Sequence, residues 1–128
     1  MIRSLVQLTL DNALYPKGVY SFWQRKTEVD EHNEYIVYTT TDIDEFFADD
    51  EPLVKSAEVT VRYFYRSGMA ETEAGRQVVD DRKKLIMRSM KKAGFDCPFG
   101  AFDAGDIDNN GYFATIFEFE YKEVANGY

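Results

Sequence analysis

Between residues 56 and 66 the chain alternates with a period of two. Val59, Val61, Tyr63 and Tyr65 fall on one side; Glu58, Thr60, Arg62 and Arg66 fall on the other, interrupted only by Phe64. Successive side chains of a strand point to opposite faces, so this segment has one face in a core and one against water or a partner. Residues 75–93 obey a different rule. At about 100° per residue, Val79, Ile86, Met90 and Ala93 line up within about 60°, flanked by Val78 and Leu85. Lys84, Arg88, Lys91 and Lys92 lie opposite them, and Gly94 stands where a glycine ends a helix, with lysines in the last turn suiting the negative pole. A strand with one dry face and a helix with one dry stripe must bury against each other, which makes the expected class α+β.

The other elements fill in around this pair. Residues 2–13 form a short N-terminal helix with Leu5, Leu8 and Ala13 on its stripe, ending before Pro16-Lys17-Gly18. Residues 19–24 (VYSFWQ) and 34–41 (EYIVYTTT) are β-branched and aromatic and are expected to be strands, joined by a turn or long hairpin loop over 25–33. The acidic stretch 42–52 is expected as a loop. Residues 98–103 form a short strand, and 112–124 a long last one with Phe113, Thr115, Phe117, Phe119 and Tyr121 on one face and Ile116, Glu118 and Glu120 on the other. The expected order is α–β–β–β–α–β–β, a mainly antiparallel sheet with the long amphipathic helix packed on one face, in one domain over residues 1–128.

Charge is the most uneven property of the chain. The formal net charge is −8, which opposes wholesale binding to nucleic acid. Between residues 76 and 92, however, seven basic residues face two acidic ones, a net +5 that leaves −13 for the rest. The densest acid is residues 42–51, six carboxylates around Phe46 and Phe47. A subunit with unlike poles can join copies of itself, the acidic segment (Phe46, Phe47, Asp49, Asp50, Glu51) meeting a neighbour's basic helix face (Lys84, Arg88, Lys91, Lys92). That helix face carries no interleaved aromatics for stacking bases, so a contact with nucleic acid would be purely electrostatic.

Chemistry-bearing motifs are scarce. There is one histidine, His32, expected as a solvated loop residue, and one cysteine, Cys97, with no CxxC partner, expected as a small buried hydrophobe in a reducing compartment. Residues 106–111 (DIDNNG) resemble the first half of a calcium loop, but Phe117 stands where the bidentate glutamate is needed. The favoured reading is a hairpin turn, with Asn110-Gly111 supplying the positive φ of a type I′ turn. No phosphate loop, dinucleotide fingerprint or nucleophile elbow is present. No catalytic residue, cofactor site or metal site is expected, and the protein is not expected to be an enzyme. No apolar run approaches the roughly 20 residues of a membrane span, and the first residues do not form a secretory signal.

The strand Tyr35-Ile36-Val37-Tyr38, the segment Phe47-Ala48-Asp49-Asp50-Glu51-Pro52-Leu53, the alternating strand Val59 to Tyr65, the helix closing on Lys91-Lys92-Ala93-Gly94-Phe95, and the last strand through Phe117-Glu118-Phe119 occur in a familiar order. The chain resembles the small tail completion (tail terminator) proteins of long-tailed bacteriophages and prophages, over residues 19–122. Ala48, Asp49, Asp50, Gly94 and Phe95 match the family pattern, with a structural place and no chemistry. The connection over residues 69–76 and the glycine-bearing turn over 104–111 depart from it.

The resemblance implies a structural virion-assembly protein that forms a ring, a hexamer by family likeness, capping the tail tube and joining it to the head. The implied partners are copies of itself, the major tail protein and a head-completion or connector protein. DNA is only a passenger through the pore, and no membrane or small-molecule substrate is involved. The implied location is the virion tail, after synthesis in the bacterial cytoplasm. The rival readings are a head–tail connector or minor tail component, or a soluble α+β ligand-binding module.

Overall fold

The computed structural model describes residues 2–26, 32–46 and 52–124. In chain order the elements are α1 (Ile2–Leu14), β1 (Tyr20–Trp23), β2 (Glu34–Phe46), β3 (Pro52–Arg66), α2 (Glu73–Lys92), β4 (Ala101–Gly105) and β5 (Tyr112–Val124). Short 3₁₀ turns follow α1 and β3. The strands make one sheet in the order β1-β2-β3-β5-β4. All neighbours are antiparallel except β1 and β2, which run parallel. The α+β class and the element order are those expected.

The parallel pairing corrects the expected hairpin across residues 25–33. Alternation reports which face of a strand is dry, not the sense of its neighbour. A second correction concerns the acidic stretch. Residues 42–46 continue β2, and Pro52 opens β3. Backbone pairing runs from Glu34 opposite Tyr65 to Phe46 opposite Pro52, with a bulge at Glu45/Phe46. Poor intrinsic strand preference yields here to a regular partner, because β propensity mostly measures fit to a neighbour. Residues 47–51 lie outside the described residues.

Both helices cover one sheet face. Val79, Ile86 and Met90 of α2 and Val6, Leu10 and Leu14 of α1 close over Ile36, Tyr38, Val59, Val61, Tyr63, Tyr65, Phe117 and Phe119. The alternating strand and the α2 stripe therefore pack as expected. The α1 stripe does not. Its buried residues fall at i, i+4 and i+8 from Val6, Leu5 and Ala13 only flank the core, and Leu8 is 58% exposed. Two stripes of similar apolar content run along this helix, and docking on the sheet selects one.

Among the described residues no helix covers the opposite sheet face. At one end it builds a second cluster, Phe22, Tyr35, Val37, Phe64, Tyr112 and Ala114. Phe64, the exception to the alternation, stacks on Tyr35 at 4.9 Å. It is buried within its own chain and is not an apolar residue left on a wet face.

Candidate interaction surfaces

Helix α2 begins with Thr72, whose hydroxyl accepts the Gly75 N–H at 3.0 Å, and with Glu73, which pairs with Arg76 at 3.0 Å. It ends in a Schellman motif. The Gly94 N–H donates to the Lys91 carbonyl and the Phe95 N–H to the Met90 carbonyl, both at 3.0 Å, with Gly94 at φ +104°. Phe95, fully buried, then anchors the chain beside Met90.

Two ion pairs flank the apolar stripe that seats the helix. On one flank Arg82 Nε donates to Glu34 Oε1 at 3.1 Å, and the buried Tyr63 hydroxyl donates to the same oxygen. On the other, Lys83 Nζ reaches Asp103 Oδ1 at 2.9 Å, and Thr115 Oγ1 donates to that atom at 2.8 Å. The Lys83 hydrogen bond holds the Asp103 carboxyl below the usual range. Burial, helped by the Glu34 carboxylate, pushes the Tyr63 phenol far up. Arg82 and Lys83, two of the seven cations of this region, are thus consumed by the fold.

Lys84, Arg88, Lys91 and Lys92 are exposed on the side of α2 away from the sheet, and the ion pairs just described use none of them. They make a single cationic stripe. Of the acidic half of the expected contact, Phe46 is the last residue of β2, whereas Phe47, Asp49, Asp50 and Glu51 lie outside the described residues.

A carboxylate group that the sequence reading did not assemble lies on the bare sheet face. Glu58 of β3 stands directly opposite Glu120 of β5, and Thr60 opposite Glu118. All three glutamates are exposed. With Thr60, Pro98 and Phe99 they line a cavity of about 190 Å³. Phe99 is 88% exposed, and Phe102 of β4, opposite Ile116, is 50% exposed. Their parity along the strands was readable; their adjacency was not, because it depends on the β3–β5 register.

The remaining candidates serve the fold. Both Asp106 oxygens accept backbone amides, from Asn110 and Gly111, at 3.0 Å each, so that carboxylate shapes the turn. The left-handed residues are Asn109 (φ 53°) and Gly111 (φ 83°), and the connection is a six-residue loop, not a two-residue type I′ turn as expected. Cys97 packs against the main core, where burial raises its thiol pKa. His32 is half-buried, its ring edge-on to Tyr20 at 4.9 Å, in place of the solvated side chain expected. Among the described residues no three His, Cys, Asp or Glu side chains converge as metal ligands, and no helix is long and apolar enough to cross a membrane. No protein-family model matches the chain, and no curated protein matches it.

Proposed function

We propose that the chain is a non-catalytic virion-assembly protein of a long-tailed bacteriophage or prophage, a ring-forming tail terminator that caps the tail tube and provides the face joining it to the head. The observation that carries this reading is the cationic stripe Lys84, Arg88, Lys91 and Lys92. It stands on a helix seated by its buried stripe Val79, Ile86 and Met90 and flanked by two ion pairs, leaving four charges unspent on the outside. A helix seated on the sheet, with four of its cations turned outward, is suited to a protein neighbour. The order α–β–β–β–α–β–β and the resemblance over residues 19–122 supply the class of neighbour. Its partners are other copies, six to a ring by family likeness, the major tail protein and a head-completion protein, with DNA passing through the opening. Its place is the virion tail.

Electron microscopy of the purified protein, alone and mixed with tail tubes, tests this reading. Rings, or caps on tube ends, are the expected result. A protein that neither self-associates nor binds tubes at any salt concentration ends it.

A further inference from the structure

We propose that the bare outer face of the sheet, around Glu58, Glu118, Glu120, Phe99 and Phe102, is the surface on which the α2 stripe of a second copy docks. This rests on the self-association reading above and replaces its acidic partner, residues 42–51, by a different one. The first argument is charge complementarity. Glu58 and Glu120 oppose each other directly across β3 and β5, a like-charge arrangement that costs stability in the isolated chain and is relieved by a cation from outside. The four cations of α2 are exposed, on a helix that packs against the other face of the sheet.

Spacing is the second argument. Lys84 to Arg88 and Arg88 to Lys92 each rise about 6 Å along the helix axis. Glu118 and Glu120 are about 7 Å apart along their strand. A helix laid along β5 can therefore set successive cations against successive carboxylates. Phe99 borders the acids, and Phe102 lies opposite Ile116, two residues before Glu118; there the aliphatic stems of lysine and the guanidinium of Arg88 can cover exposed rings.

The placement also dictates the type of assembly. The two surfaces are on opposite sides of one domain, so each copy donates its helix to one neighbour and its sheet to another. Such heterologous contacts form a closed ring or an open series, never a closed two-fold dimer.

Sedimentation velocity in about 50 mM and about 500 mM salt, which changes screening between exposed charges severalfold, reads the contact. Three proteins are compared with wild type: Glu118→Lys/Glu120→Lys, Lys84→Glu/Arg88→Glu, and the four changes combined. Wild type is expected to associate at low salt. Each double variant should associate about tenfold more weakly or worse. An equimolar mixture of the two doubles should regain association, because each supplies the surface the other lacks, and so should the combined variant. Loss in a double variant that is matched by rescue cannot come from misfolding.

If Glu118→Lys/Glu120→Lys associates like wild type, the sheet face is not the acceptor, although the terminator reading stands. Wild type that remains monomeric in both salts overturns the sheet-face contact; the terminator reading then rests on binding to tail tubes. Salt-sensitive association with rescue that yields neither rings nor capped tubes under the electron microscope upholds the contact and sinks the terminator reading.

Discussion

A Cβ added to Gly75 would lie 2.1 Å from the Met69 carbonyl oxygen and 2.9 Å from Thr72 Oγ1. The 3₁₀ turn after β3 folds back onto the first turn of α2, and only a hydrogen fits between them. In an ordinary exposed helix Gly→Ala is stabilising; here the obstacle is backbone. Gly75→Ala should destabilise by about 1–3 kcal/mol in chemical denaturation. Unchanged stability would mean that the turn gives way freely. Gly94 differs in kind: its φ of +104° and a would-be Cβ contact of 3.1 Å with Tyr121 demand glycine for conformation first. The role of Gly94 was legible, because a glycine after a basic helix terminus is a local signal. That of Gly75 was not, since its obstacle comes from a separate turn. Leu8 and Leu10 make the same point in α1: both are leucines on one helix, and contact with the sheet decides which is buried.

The helix α2 is oriented by its flanking pairs more than by its cap. Arg82 and Glu34 are mostly buried, so removing one partner leaves the other poorly solvated. Arg82→Met should cost about 2 kcal/mol or more. Lys84→Met, two residues further on and exposed, should fall within about 0.5 kcal/mol of wild type. Equal effects of the two would contradict the assigned roles. The Lys83–Asp103 pair is more exposed and weaker, about 0.2–1 kcal/mol and reduced by salt. Because the folded Asp103 carboxyl titrates below its unfolded value, its contribution is present above about pH 4 and is lost as pH falls through the folded value. Asp103→Asn should therefore lower stability slightly at neutral pH and flatten the acid limb of the stability curve, measured by thermal melts from neutral to acid pH. Sequence periodicity located the dry stripe of α2. It could not tell the two cations spent on ion pairs from the four left outside, because their partners belong to β2 and β4.

Across the whole molecule, tyrosine sets an alkaline limit. Burial raises the pKa of Tyr35, Tyr63 and Tyr65, and raises that of Tyr38 to about 12. Their unfolded value is near 10. The folded values are the higher ones, so this contribution is complete below about pH 10 and is lost as pH rises through the folded values. Thermal stability should fall above about pH 10, with phenolate absorbance of the buried rings appearing only as the protein melts. Phenolate absorbance rising smoothly in a still-folded protein would show these rings to be accessible.

The class α+β, the order of the elements, the dry face of β3 and the apolar and basic sides of α2 follow from the order of residues alone, because periodicity and helix-end chemistry are properties of neighbours in the chain. The parallel sense of β1, the extension of β2 through residues 42–46, the stripe chosen on α1 and the meeting of Glu58 with Glu120 do not. Each arises when segments remote in sequence come together, and there the register of backbone hydrogen bonds, not the preference of any one residue, determines what lies beside what.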